Sequence, residues 1–401
     1  MKRFLAVVLA ALMLVSALAL TSCQTTTDGW EKDGEGDIVI KIGGIGPLTG
    51  DYASYGVSVK NGATLAIDEI NAAKIIPGVK FQLLFQDSEA DSAKAVSAFG
   101  KLVDDGMDVS LGGVLSGETS DIVKASAETG MLVLTPTASA LNCISEPNAF
   151  RVCFNDPQQG EVAAQKIKEF GLATKVALFY DNGSDYSIGN INTFKAKASE
   201  LGLEIVTEQT YSEKSNTDFS TQITAIKNSG AELVFMPIYY SDAAKFLRQA
   251  KSSELNTVFF GVDGLDGVIA ECGTANKADC EDVILMTPFY ADSAEANIKG
   301  FVDAYKDRFD ATPDQFAADG YDAVKIIVEA ITSAGYTSAD AIEAATTADF
   351  NAALISAMVR INVTGVTGTM QWSSTGETTK SPLILQIKDG KYVEYKVATA
   401  E

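Results

Sequence analysis

The sequence predicts an α/β protein built as two doubly wound, parallel-sheet lobes, and three observations carry that expectation. From Asp37 onward, short apolar runs alternate with helical segments at intervals of roughly 25 to 30 residues, the rhythm of βα units. The roughly 365 residues beyond Gly36 exceed what one hydrophobic core usually holds. After two βα halves comes a strand-rich tail that departs from the rhythm. The chain therefore builds one lobe, then the other, then returns to both, leaving several crossings that form a hinge beside a cleft.

The N-terminus reads as an export signal. Lys2 and Arg3 precede the apolar run Phe4 to Leu20, and Leu20-Thr21-Ser22-Cys23 has the form of a lipobox. The run is short and early for a spanning helix. Cys23 is the expected lipidated residue, with an uncleaved anchor as the alternative. Either way the remainder works outside the cytoplasm at a membrane surface. Residues 24 to 37 are polar and glycine-bearing with no hydrophobic period, so they read as a tether with a reach of at most ~50 Å.

Strands are predicted at Ile38-Ile42, Lys80-Phe85, Val109-Val114, Met131-Thr135, Lys175-Tyr180, Glu204-Thr210, Leu233-Pro237, Val258-Val262 and Val283-Met286. The helix over Tyr55-Asn71 sets Val59, Ala63, Ala66 and Ile70 on one face and Lys60 and Asp68 on others. Helices follow over Ala294-Phe309 and Gln315-Ala334, then strands over Thr369-Trp372, Pro382-Lys388 and Tyr392-Val397, with Asp389-Gly390 as a turn.

Charge and composition narrow the function. Without Lys2 and Arg3, 29 basic residues stand against 53 acidic ones, a net charge of −24, which repels nucleic acid and anionic lipid. Histidine is absent, which removes Ser/His/Asp and Cys/His triads and the commonest general base and argues against an enzyme. No metal or other cofactor is expected. Four cysteines beyond Cys23 form two close pairs, Cys143 with Cys153 and Cys272 with Cys280. In an exported protein these favour two short-loop disulfides, with buried free thiols as the alternative.

The first βα loop, Gly44-Ile45-Gly46-Pro47-Leu48-Thr49-Gly50, is a poor dinucleotide fingerprint. Gly50 is one position late, Pro47 lacks an N–H, and Asp51 to Gly56 delay the helix. A glycine turn that lets Tyr55 reach into a cleft suits it better. Leu115-Ser116-Gly117 starts a helix at a strand end, and Thr135-Pro136-Thr137-Ala138-Ser139 places a second hydroxyl cluster at a neighbouring strand end. Together Ser116 and Ser139 make a carboxylate cradle; singly, each reads as an ordinary cap or turn hydroxyl. The second half carries Asp156, Tyr186, Tyr239, Tyr240 and Asp263 at its strand ends, where ligands of such sheets bind. Acids accept from an ammonium and tyrosines supply apolar walls, so the set describes a zwitterion with an uncharged side chain.

The export signal, Gly46-Pro47-Leu48-Thr49-Gly50, the Ser116 and Ser139 turns, Asp156 and the late Gly365 to Gly376 stretch resemble the type I periplasmic binding proteins of the branched-chain amino acid transport group, over residues 37 to 397. The resemblance implies three crossings between the lobes, closure over a neutral amino acid and presentation to an ABC permease. It assigns the carboxylate-binding hydroxyls to Ser116 and Ser139, with Ala138 beside them. The Thr137 carbonyl and Asp156 would face the amino group, Asp263 would clamp the α-ammonium, and Tyr55, Leu115, Tyr186 and Tyr239 would be walls. Tyr321 would either line the cleft or pack within its helix. The implied division is a signal over 1–22, a lipidated tether over 23–36, one lobe from 37–155 and 287–366, and the other from 156–286 and 367–401.

Overall fold

The computed structural model of the chain describes residues 29–212, 217–273 and 275–396. The expected export signal and the candidate lipidation site Cys23 lie outside the described residues. No helix of the described residues is long and apolar enough to cross a membrane.

The first half of the chain runs β1 (Ile38–Gly46), α1 (Ala53–Ala73), β2 (Val79–Asp87), α2 (Ser92–Asp104), β3 (Val109–Gly112), α3 (Ser116–Ser126), β4 (Val133–Thr135) and β5 (Ala149–Arg151). These strands form a parallel sheet in the order β2-β1-β3-β4-β5. Strands β3 and β4 are buried along their whole length, as expected of parallel strands covered on both faces. On α1, the residues Val59, Ala63, Ala66 and Ile70 are buried while Lys60 and Asp68 are exposed, as the helical period requires. Three-residue β5 escapes sequence reading because Arg151 interrupts its apolar run, unlike the equally short strand Leu233–Phe235, which is apolar throughout.

The chain then builds α4 (Asp156–Glu169), β6 (Lys175–Asp181), α5 (Asp185–Leu201), β7 (Glu204–Tyr211), α6 (Ser220–Ser229), β8 (Leu233–Phe235), α7 (Tyr240–Ser252), β9 (Val258–Gly261), α8 (Val268–Cys272) and β10 (Ile284–Thr287). It returns to the first lobe with α9 (Ala296–Phe309), α10 (Gln315–Ser333), α11 (Ala339–Glu343), α12 (Thr347–Met358), β11 (Asn362–Gly365) and β12 (Gly368–Gln371), and ends with β13 (Leu383–Lys388) and β14 (Lys391–Glu394). The second sheet has the order β14-β13-β10-β9-β8-β6-β7, with the last two strands of the chain added antiparallel at one edge. Asp389 and Gly390 both take positive φ, the backbone that a two-residue hairpin turn demands. This is the two-lobed, doubly wound α/β architecture.

Three expectations need correction. The tether expected over 23–36 is not free in its described part, because Trp30 folds back onto the first lobe: its Nε1 donates to Ala345 O at 3.0 Å and its ring meets Phe350 at 4.9 Å. Lys32 pairs with Glu343 at 2.7 Å, and Lys80 Nζ sits among Asp33, Glu35 and Asp37. One large apolar ring has no periodicity, so only the tertiary fold shows what it covers.

The limit expected at 366/367 also moves, since β12 pairs with β11, Trp372 Nε1 donates to Arg151 O at 2.8 Å, and Arg151 N donates to Gly376 O at 3.2 Å. The chain stays with the first lobe through Lys380 and joins the second sheet at Leu383. Finally, the expected disulfides are absent, and Cys143, Cys153, Cys272 and Cys280 are free, buried thiols. The Cys143 sulfur is turned to the Ser116 carbonyl at 3.3 Å and that of Cys280 to the Lys277 carbonyl at 3.3 Å, each thiol spending its hydrogen on a neighbouring backbone oxygen.

Helix α10 reaches the cleft because nothing stands between it and α1. A Cβ on Gly62 would lie 1.9 Å from Ala317 O, and one on Gly320 2.5 Å from Val59 O, so only glycine permits this approach. That contact sets Phe316 against Tyr55, ring centroids 4.0 Å apart.

Candidate functional site

In each sheet the strand order reverses direction once, between β1 and β3 in the first and between β6 and β8 in the second. Loops leaving the carboxyl ends of strands at such a reversal diverge and open a crevice. The residues after β1, β3 and β4 face those after β6, β8 and β9 across the gap between the lobes. There Tyr55, Val114, Leu115, Ser116, Thr137, Ser139, Tyr186, Tyr239, Asp263, Gly264 and Phe316 line one cavity.

The first-lobe wall is a hydroxyl cluster fixed from behind. Ser116 opens α3, and its Oγ accepts from Ser139 N and Ala140 N, both at 3.2 Å. Thr135 Oγ1 donates to Gly113 O and Thr137 Oγ1 to Val114 O, each at 2.8 Å, tying the loop after β4 to the loop after β3. Beneath β1, Asp87 holds the glycine turn by accepting from Leu48 N at 2.8 Å and Thr49 Oγ1 at 2.7 Å. Arg151 is fully buried, and its guanidinium donates to the carbonyls of Ala138, Ser139 and Ala140.

The opposite wall is acidic and aromatic. Asp263 accepts from Tyr186 Oη at 2.8 Å and Gln159 Nε2 at 3.0 Å, and burial pushes its carboxyl up to about 7. Asp156 accepts from Asn190 Nδ2 at 3.0 Å, and burial drives it well above the carboxylate range. Tyr186 and Tyr239 stack with centroids 4.9 Å apart, and Tyr239 meets Tyr55 edge-on at 5.6 Å.

The lobes are shut. Tyr55 Oη donates to Gly264 O and accepts from Tyr240 N at 3.1 Å, Tyr52 Oη donates to Asp242 at 2.9 Å, and Asn142 Nδ2 donates to Asp185 at 2.7 Å. From α10, Gln315 N donates to Asp266 at 2.9 Å and its Nε2 to Asp263 O at 3.0 Å. Between these clasps the cavity measures about 10 Å³, room for about one water.

Eight of the residues named from sequence meet at this cavity: Tyr55, Leu115, Ser116, Thr137, Ser139, Tyr186, Tyr239 and Asp263. Ala138 and Asp156 are buried behind it, Ala138 beneath the hydroxyl loop and Asp156 at the start of α4. Tyr321 points elsewhere, its hydroxyl donating to Glu69 at 2.5 Å beside Phe301. Sequence reasoning missed Phe316, Gly264, Gln159 and Arg151. An arginine inside the apolar run Phe150 to Phe154 is the one signal that was available for any of them.

A model of the periplasmic binding protein family matches residues 39–391. The chain belongs to this family. It is 30% identical over 395 residues to the Leu/Ile/Val-binding protein homolog 3 of Brucella melitensis, covering 95% of this chain and 99% of that one. The Leucine-, isoleucine-, valine-, threonine-, and alanine-binding protein of Pseudomonas aeruginosa is 29% identical over 298 residues, 74% of this chain and 79% of that one. Among solved structures, the branched-chain amino acid transporter substrate binding protein LivJ of Streptococcus pneumoniae, in complex with isoleucine, superposes with a TM-score of 0.79 at 27% identity, covering 88% of this chain and 97% of that one. As in other periplasmic binding proteins, two parallel-sheet lobes here flank one cleft.

Proposed function

We propose that this periplasmic binding protein is the extracytoplasmic receptor of an ABC importer, capturing a neutral, branched-chain α-amino acid by lobe closure and handing it to the permease, with Cys23 as its lipid anchor. The observation that carries this reading is the pairing of unlike walls: the Ser116 and Ser139 hydroxyls on one lobe face Asp263 on the other, with Tyr55, Tyr186 and Tyr239 between. Hydroxyls suit a carboxylate, a buried acid suits an ammonium, and tyrosine rings suit an aliphatic side chain. An aromatic acid would leave the acidic wall without a partner. In the open form each lobe presents half a site; ligand bridges the halves, and the clasps at Tyr55, Tyr52 and Gln315 complete closure, which is the signal the permease reads.

The test is a thermal-shift panel of the twenty amino acids, small amides and aromatic acids on residues 24–401 stripped of carried-over ligand. A ligand at about a thousand times its Kd is expected to add ~4 kcal/mol of stability. Shifts confined to leucine, isoleucine and valine support the reading. Shifts with amides or aromatic acids alone move the ligand class, and no shift at all removes the receptor reading.

Binding is also expected to depend on pH. Asp263 accepts an ammonium in its ionised form, and in the ligand-free cleft burial holds its pKa at about 7. Lowering the pH through this value protonates the acceptor, so affinity is expected to weaken towards tenfold per unit below about pH 7 and to level off above it. Isothermal titration at about pH 6 in two buffers of different ionisation enthalpy would show a fraction of a proton, approaching one, released per ligand. Affinity unchanged between about pH 5.5 and 8 would remove Asp263 from this role.

A further inference from the structure

The cradle for the ligand's carboxylate contains hydroxyls and amides but no cation at its surface. Behind it lies a positive charge, Arg151, which lines no part of the cavity and is fully buried. Its contacts are specific. Nη1 donates to Ala138 O and Ser139 O, and Nη2 to Ala140 O at 2.9 Å. The first two of these carbonyls belong to the peptide groups whose N–H ends, on Ser139 and Ala140, donate to Ser116 Oγ. Two peptide groups therefore run in parallel from the guanidinium to one hydroxyl, each with its carbonyl on Arg151 and its N–H on Ser116.

Such an arrangement has a consequence for Ser116. A hydroxyl oxygen has two acceptor positions and one hydrogen, and here both acceptor positions are taken by amides. What remains is a donor. Hydrogen bonds in series polarise one another, so a guanidinium at one end strengthens the N–H groups in the middle and the O–H at the far end. The neighbouring Cys143 sulfur is a weak acceptor whose own hydrogen is directed to the Ser116 carbonyl. The strong acceptor suited to this O–H is one that arrives in the cleft. Arg151 is held in place by its own backbone, which donates to Gly376 O and accepts from Trp372 Nε1, and Glu377, lying 3.3 Å from its Nε, is its partly exposed counter-charge.

We infer that Arg151 is a positioning residue that gives the cleft its preference for a carboxylate, acting through the Ala138–Ser139 and Ser139–Ala140 peptide groups on the Ser116 hydroxyl. The inference rests on the amino-acid reading proposed above. It adds that discrimination between an anionic and a neutral group at that end of the ligand comes from a cation the ligand never touches.

The experiment compares leucine with leucinamide, which differ in the carboxylate alone, by isothermal titration on the mature chain. Binding of neither compound by the wild type would defeat the amino-acid reading and leave no site for the inference to act on. With wild-type binding in hand, Arg151→Met is expected to reduce the leucine-over-leucinamide ratio by roughly tenfold or more, with Arg151→Lys recovering part of it. Glu377→Gln removes the counter-charge and is expected to raise the ratio by about twofold or more. A purely structural role would weaken both ligands together and leave the ratio alone. An unchanged ratio in a cooperatively folded Arg151→Met protein would overturn the inference. Should that variant fail to fold, Glu377→Gln decides: a raised ratio supports the inference and an unchanged one overturns it.

Discussion

Asp263→Ala is expected to weaken amino-acid binding by ~2 to 5 kcal/mol, a loss of roughly 30- to 4,000-fold. In the closed form the α-ammonium would be sealed between shut lobes, where an unpaired charge costs several kcal/mol. Asp263 is the acid at the cavity itself, and its protein donors, the Tyr186 and Gln159 side chains and the Gly264 backbone, leave its oxygens a further acceptor position. Asp156 does not substitute for it, because it is buried behind the wall, where Asn190 and Ser139 meet its carboxyl, and it lines no part of the cavity. Asp263→Asn separates charge from shape: it is expected to lose nearly as much affinity while disturbing the Tyr186 and Gln159 contacts less. Titration calorimetry with leucine on both variants is the measurement, and wild-type affinity in either would withdraw the ammonium assignment.

Lys380→Met is expected to cost ~3 to 5 kcal/mol of folding stability. Lys380 Nζ pairs with Asp319 at 2.6 Å, with both side chains almost wholly excluded from water at 1% and 2% exposure. Removing the cation strands a carboxyl whose burial already pushes it up to about 6. Lys380 sits on the last segment before the chain enters the second sheet and Asp319 on α10 of the first lobe, and Lys380 O accepts from Gln158 Nε2 of α4 at 3.1 Å, so the crossing is fastened to both lobes. Replacing both partners, Lys380→Met with Asp319→Leu, is expected to recover part of the loss: Asp319 is no longer stranded, while the neighbouring buried Asp322 loses the same cation and keeps only its Val366 and Thr367 donors. Urea unfolding of the single and double variants checks this. A single variant within about 1 kcal/mol of wild type would show that the pair contributes no more than an exposed one.

The parts of the molecule legible in the sequence are those with local causes. Apolar runs of strand length and the α1 period determined the βα elements, since a parallel strand must be apolar throughout and a surface helix must be apolar along one stripe. Strand ends follow from the strands, and candidate ligand groups from the strand ends, which is why Ser116, Ser139, Tyr186, Tyr239 and Asp263 can be named from the sequence. Failures occurred where the cause lies far away along the chain. Trp30 is explained by Ala345 and Phe350, and the late crossing by Trp372 reaching Arg151. The cysteine pairs suggested disulfides by proximity in sequence, while in the fold the Cys143 sulfur faces the Ser116 carbonyl and the Cys272 and Cys280 thiols meet each other without a covalent bond.

By itself, then, the sequence determined the two-lobed fold and the chemical inventory of the cleft, because periodicity and turn chemistry act over a few residues. Only the tertiary structure decided which of those groups meet. It put Phe316 rather than Tyr321 against Tyr55, set Asp156 behind the wall and Asp263 at it, and placed the Arg151 charge behind the Ser116 hydroxyl. Those choices depend on how closely α10 approaches α1 and on which peptide groups a buried guanidinium finds, and no local pattern encodes either.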